Sequence, residues 1–170
     1  KDHVELGEAL GFLDAKRGAD VAGARFTYLK GDLVLLQNAL YQFALSVLLD
    51  ERKLAAIAKA AGLNVPSKAF MPVVPPLFIK PDVFQKMARL EPRDERYHIA
   101  SDDAYLIGSA EHTLGPLHMG EVLKESDLPL RYFAYTPAFR REAGSYGKDV
   151  KGILRQHQFD KVEMESFTVA

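Results

Sequence analysis

The chain has 170 residues, 48% of them hydrophobic, with 22 basic and 23 acidic residues, a formal net charge of −1 and no cysteine. That length fits one domain with a real core, and the near-neutral charge argues against a protein that coats nucleic acid by electrostatics alone. The absence of cysteine excludes disulfides and thiolate metal sites, which suits a cytoplasmic location, and no apolar run has the length of a membrane span or the pattern of a signal peptide.

The opening KDHVELGEALGFLDAKRGADVAG has helical spacing interrupted at Gly11 and Gly18, which predicts a short helix or two followed by a turn. Ala24–Asp32 alternates and is rich in β-formers, so a strand is expected to end at Gly31. Asp32 then reads as the N-cap of one long helix running toward Ala61, with Gly62 at its C-cap and Leu36, Leu40, Phe43, Val47 and Leu48 as its apolar stripe. Pro66–Pro81 holds five prolines, which suits a sheet edge, a bulge or a subunit contact and argues against a central strand. A strand is expected at Tyr105–Ser109, turning at Gly115. Two further strands, from Arg131 to Glu142 and from Ile153 to Val169, are joined by a loop with Gly144, Gly147 and Gly152.

The last two strands carry the chemistry. Between Arg140 and Lys161 the segment holds Arg140, Arg141, Lys148, Lys151, Arg155 and Lys161 against Glu142, Asp149 and Asp160, a local net charge of +3. Strand alternation puts Arg155, His157, Phe159, Lys161 and Glu163 on one face, and Arg140 with Glu142 on one face of the preceding strand. An arginine fork matches phosphate oxygens, a phenylalanine ring stacks on a base, and carboxylates accept from amino groups. This face is equipped for a nucleotide and a small amine, although mixed charges along a strand are also the ordinary composition of a solvated sheet face. Other signatures fail: there is no GxGxxG, no GxxxxGK[ST], and Pro116 stands where a second zinc-binding histidine would follow Glu111–His112.

Taken together, RFTYLKGD, the Pro75–Pro76 pair, LIGSAEHTLGPLH and TPAFRREAGSYGKDVKGILRQHQFDKVE resemble the catalytic domain of seryl-tRNA synthetases, of the class II aminoacyl-tRNA synthetases. The resemblance implies an α+β fold, a mainly antiparallel sheet flanked by helices. It further implies ATP-dependent activation of L-serine to seryl-adenylate and transfer to the 3′ end of serine tRNA.

Residue by residue, the resemblance implies that Arg140 is the catalytic arginine on the α-phosphate. Arg141, Glu142, Arg155 and Phe159 complete the ATP site, with Phe159 stacked on adenine. Ser109, Ala110, Glu111 and Glu163 match the serine-binding positions. The loop from residue 143 to residue 152 matches the one that approaches the tRNA acceptor end. Lys68, Phe70, Val73 and Pro76 match motif 1, which implies a homodimer, although Ala69 replaces the family's glycine.

No metal ligand is assigned within the chain. Mg2+ is expected to accompany ATP, with its protein ligands beyond residue 170. Residues 1–170 are thus expected to form a partial catalytic domain without the tRNA-binding arm or motif 3, weak or inactive alone, with an unusual helical stretch at residues 51–68. Two alternatives stay open: an amino-acid-activating homologue that loads a carrier protein, and a noncatalytic paralogue acting as a dimerisation or partner-binding module.

Overall fold

In the computed structural model the described residues are 1–143 and 152–169. Two short helices open the chain, α1 (His3–Ala9) and α2 (Ala15–Ala22), each started by an aspartate side chain that accepts from the first turn. Asp2 and Glu5 form a reciprocal capping box. Strand β1 (Leu13–Asp14) pairs antiparallel with β2 (Tyr28–Leu29), which is much shorter than the strand expected across Ala24–Asp32. At Gly18 an added Cβ would run into the backbone of Phe26 and Thr27, so close packing of α2 against this segment requires glycine.

The expected long helix is two helices. Helix α3 (Asp32–Leu48) ends at Leu49, and α4 (Glu51–Ala60) begins at an 80° bend. The break lies at Asp50, whose side chain accepts from the backbone N–H groups of Arg52 and Lys53 at 2.9 and 3.2 Å. A side chain that satisfies the orphan donors of a new helix start competes with continuation of the old one. No single helix among the described residues is long and apolar enough to cross a membrane.

The inward face of α3 also differs from the expected stripe. Leu36, Leu40 and Phe43 are exposed, and of the stripe only Leu48 is buried. The sheet-facing side instead carries Gln37 and Tyr41. The Tyr41 ring stacks on Tyr135 at 4.3 Å and lies 6.1 Å from Phe133, while Gln37 donates to the Tyr135 hydroxyl and to the Asp160 carboxylate. A cleft of about 670 Å³ opens between α2, β2, α3 and this side of the sheet.

The proline-rich stretch yields two bridges, β3 (Met71–Pro72) and β4 (Phe78–Ile79), followed by α5 (Pro81–Lys86) with proline in its first turn. Strands β5 (His98–Ile99) and β6 (Ala104–Leu106) follow, then α6 (Glu111–Leu114). The last two strands are β7 (Leu130–Phe139) and β8 (Gln158–Phe167). One sheet has the order β4-β6-β5 and is antiparallel. The other has the order β3-β7-β8, with β3 a parallel edge strand and β7–β8 an antiparallel ladder from Leu130↔Phe167 to Phe139↔Gln158. Pro72 therefore sits in an edge strand, where its missing donor costs the ladder little, and the other prolines of the stretch lie outside strands.

Ile79, Phe84, Leu90, Tyr105 and Ile107 form one core cluster, and Ala110, Leu114, Tyr132 and Ala134 form a second. The chain at Ile107 joins the two sheets: its N–H donates to Leu77 O and its carbonyl accepts from Phe139 N–H. Replacing Phe84, which is completely buried, by alanine should therefore destabilise the fold by about 3–5 kcal/mol in urea unfolding.

Candidate functional site

The site is built on the face of β7–β8 opposite α3. Along β8 the half-buried side chains are Phe159, Lys161, Glu163, Glu165 and Phe167. Directly across on β7 stand Ala138, Thr136, Ala134, Tyr132 and Leu130. The small β7 residues Ala134, Thr136 and Ala138 are almost completely buried. Long side chains from β8 thus lie beside small ones, where the segment 108–114 packs down on them.

Ser109 is 1% exposed, and its hydroxyl hydrogen-bonds the Glu163 carboxylate. The Lys161 ammonium donates to Ser109 Oγ at 2.9 Å and pairs with Glu163 at 2.6 Å. Burial raises the Glu163 carboxyl's pKa, but the bonds from Lys161 and Ser109, with the nearby positive charge, together hold it below the usual carboxylate value. Ser109 Oγ also accepts from Glu111 N–H, while the Glu111 carboxylate is held by Arg89 Nε and Nη2, both at 2.9 Å. Two residues further along β8, Glu165 has its pKa raised by burial and by the neighbouring Glu111 and Glu163 charges. Ala110 is fully buried and leads into α6.

At the other end of the face, the Arg140 guanidinium lies 5.4 Å from the centre of the Phe159 ring. Its Nε donates to Gly108 O at 3.2 Å, and no other hydrogen bond to its side chain occurs among the described residues. A guanidinium held at Nε presents its two terminal amino groups as a fork, the geometry that suits phosphate oxygens. The Arg140 backbone donates to His157 O, and Arg140 O meets His157 Nδ1 at 2.9 Å.

The rest of the expected constellation is arranged differently from a continuous strand face. The ladder stops at Phe139 and Gln158, so Arg155 and His157 lie before β8, and Glu142 lies beyond β7 with a left-handed backbone at φ 52°. Glu142 and Arg155 instead form an ion pair across the strand ends, at 2.9 Å. Arg141 is exposed, donates its N–H to Glu95 O, and sets its guanidinium over the Tyr97 ring at 5.8 Å, away from the ring beneath Arg140. Of the loop 143–152, only Ala143 and Gly152 are described; Gly144, Gly147, Lys148, Asp149 and Lys151 lie outside the described residues.

The four motif 1 positions divide. Val73 packs inward against the Ala110–Tyr132 cluster, with its N–H on Phe133 O. Phe70 lies under the Arg131 guanidinium at 5.6 Å, whereas Lys68 and Pro76 are exposed.

Two residues central to this network had no assigned role in the sequence analysis. By spacing Lys161 is only a charge on the face, yet it bridges Ser109 and Glu163; its position two residues before Glu163 on an alternating strand is the available signal. His112 was weighed only as a metal ligand. It is 5% exposed, packs 4.6 Å from the Phe84 ring, and its Nδ1 accepts from Gly108 N–H at 3.1 Å. Burial, then the positive charges of Arg96, Arg140 and Lys161, push its pKa down to about 4, with Glu111 opposing. His118 is engaged with Glu121 and the Tyr132 hydroxyl, at 2.8 Å each. Among the described residues, no group of three His, Cys, Asp or Glu side chains could hold a metal ion.

Residues 95–170 match the family profile of the tRNA synthetase class II core domain (G, H, P, S and T). The chain is 45% identical over 99% of its length to a serine–tRNA ligase of Acidothermus cellulolyticus, and 42% identical over 99% to one of a Geobacter species. It covers 36% of each of these relatives, so it spans roughly a third of their length. Among solved structures, it superposes on seryl-tRNA synthetase from Pyrococcus horikoshii complexed with ATP with a TM-score of 0.79 and 41% identity, covering 96% of this chain and 33% of that one. Cytoplasmic serine–tRNA ligase from Naegleria fowleri in complex with AMP gives 0.78 and 33% identity, over 95% and 34%.

The fold is that of a class II tRNA synthetase catalytic core, α+β with antiparallel strands flanked by helices. Within that class the chain is similar to seryl-tRNA synthetases over 95–99% of its length, at 33–45% identity.

Two outcomes test the electrostatics. Lys161→Met should raise the Glu163 pKa, read by carboxylate NMR titration, because the substitution removes a hydrogen bond and a positive charge that favour the ionised form. For His112, the folded-state value of about 4 lies below the unfolded value of about 6.5, so the unfolded chain takes up a proton first as pH falls. Stability should therefore decline from about pH 6.5 to about pH 4 and level off below that, and in His112→Asn this component of the decline should vanish from denaturation curves taken across the range.

Proposed function

We propose that this chain contributes to a serine–tRNA ligase, which condenses L-serine with ATP to seryl-adenylate, releases pyrophosphate, and passes the seryl group to the 3′ end of serine tRNA. The observation that carries the reading is the placement of Ser109, Lys161 and Glu163 on the same face as Arg140 and Phe159. A hydroxyl-reading pocket and a phosphate-and-base pocket then share one wall. Relatives named for this activity at 42–45% identity, and structural neighbours complexed with ATP or AMP, support it.

In this reading the serine carboxylate attacks the α-phosphorus of ATP, and the bond to the leaving pyrophosphate breaks. Such chemistry depends on positioning and on fixed positive charge where negative charge develops. Arg140 forks the α-phosphate with its terminal amino groups, and Phe159 stacks on adenine from the same side. Glu142, tied to Arg155, closes the base end of the site; Arg141, over Tyr97, would have to swing from that ring to reach the nucleotide. Ser109, Ala110 and Glu111 line the amino-acid end. There Glu111 takes the serine ammonium and Glu163 the hydroxyl, with Lys161 keeping Glu163 in its accepting form. A pocket that pairs a hydroxyl rejects alanine, because its own polar groups would be left unpaired.

The homodimer contact is assigned to Lys68, Phe70, Val73 and Pro76, the tRNA acceptor end to residues 143–152, and the compartment to the cytoplasm. Mg2+ belongs with ATP; the described residues offer no ligand set for it, and no step above runs through it.

Titration calorimetry with a nonhydrolysable seryl-adenylate analogue tests the reading. Phe159→Ala should weaken binding by roughly tenfold or more, from lost stacking. Glu163→Ala should weaken the seryl analogue while leaving AMP unaffected. Unchanged binding of the seryl analogue in both variants would refute the assignment.

A further inference from the structure

Gly108 sits between two groups that engage it from opposite sides. Its N–H donates to His112 Nδ1 at 3.1 Å, and its carbonyl accepts from Arg140 Nε at 3.2 Å. The packing is close: a Cβ added at Gly108 would lie 3.4 Å from His112 Cε1, 3.4 Å from Phe139 O and 3.5 Å from Arg140 Cγ. His112 also holds the Ser109 carbonyl, one peptide beyond that of Gly108, through its own N–H at 3.1 Å. Glycine imposes little torsional restraint on the peptide planes that flank it, so the direction of the Gly108 carbonyl must come from its neighbours.

We propose that His112 is a positioning residue for phosphate capture. Its Nδ1 fixes the N–H side of Gly108, its backbone fixes the Ser109 carbonyl on the far side, and the Gly108 carbonyl held between the two aims the Arg140 guanidinium. The inference rests on the reading of Arg140 as the phosphate fork.

The bond defines the tautomer. Gly108 N–H is a donor, so Nδ1 must be the bare acceptor and the ring proton resides on Nε2. Burial against Phe84 and the surrounding positive charges favour this neutral form. A protonated ring would face the Gly108 N–H with a second donor and release the peptide. His112 touches no reacting atom, and its effect reaches the phosphate only through Gly108 and Arg140.

The test compares AMP with adenosine by titration calorimetry on wild type, Arg140→Ala, His112→Phe and His112→Asn, with near-ultraviolet circular dichroism as the check on folding. The preference for AMP over adenosine isolates the phosphate contribution, and Arg140→Ala should erase it. His112→Phe keeps a ring against Phe84 but cannot accept a hydrogen bond. It should cut the AMP preference by about five- to tenfold, with adenosine affinity within about twofold of wild type. His112→Asn, whose amide oxygen takes the place of Nδ1, should recover the preference to within about threefold of wild type.

A His112→Phe protein that keeps the full AMP preference, or weakens AMP and adenosine alike, overturns the positioning role and leaves the Arg140 reading standing. If His112→Phe does not fold, His112→Asn decides: a folded Asn variant that has lost the AMP preference overturns the proposal, and retention supports it. A wild type with no AMP preference, or an Arg140→Ala variant that keeps one, overturns the Arg140 reading and this inference with it.

Discussion

Everything about the site depends on a size alternation across one antiparallel pair. Ala138, Thr136 and Ala134 on β7 stand opposite Phe159, Lys161 and Glu163 on β8. Cross-strand neighbours in an antiparallel pair lie close together, and two long side chains at each step would fill the face and leave nowhere for the segment 108–114 to dock. The small residues create that room. Ala110 and Leu114 settle into it, and the docked segment delivers Ser109 to Glu163 and the Gly108 carbonyl to Arg140. A purely apolar contact thereby determines where the polar groups meet.

On that wall the charges are arranged to hold one another before any ligand arrives. Arg89 restrains Glu111, Lys161 restrains Glu163, and Arg155 restrains Glu142. Partly buried carboxylates without such partners have their pKa raised, as Glu165 does. Each of these three carboxylates is therefore oriented by a basic group in advance, which is the preorganisation that the proposed chemistry requires. His112 illustrates the complementary solution. Deep burial among cations keeps the imidazole uncharged, and an uncharged imidazole can accept where an imidazolium cannot.

Much of this site was legible in the sequence because strand alternation is local. The shared face of Phe159, Lys161 and Glu163 follows from spacing alone, and the resemblance carried by TPAFRREAGSYGKDVKGILRQHQFDKVE implied roles that pattern could not. The failures share a physical cause, competition from groups distant in sequence. The α3 stripe was misread because Tyr41 stacks on Tyr135 and Gln37 bonds Asp160, and neither partner is visible from within the helix. The helix break at Asp50 is a local signal, a capping aspartate followed by a glutamate in the first turn, hidden inside a continuous helical pattern. The end of the ladder at Phe139 and Gln158 separated Arg155 and His157 from the face on which alternation had placed them. Gly108 carried no signal of its own, since its importance lies in two backbone bonds to side chains four and 32 residues away.

The bend after α3 has a further consequence. Phe70 N–H donates to Leu48 O, Ala69 N–H reaches the Glu51 carboxylate, and Arg131 holds the carbonyls of Pro66 and Lys68. Residues 49–69 thus leave and re-enter the fold at adjoining points, with both ends fastened. An excursion closed in this way can change in length at small entropic cost, without displacing β3 or the hairpin beside it. The α4 segment is in that sense a socket in the architecture, where a lineage can add, shorten or exchange a whole helix while the strands that carry the chemistry keep their register.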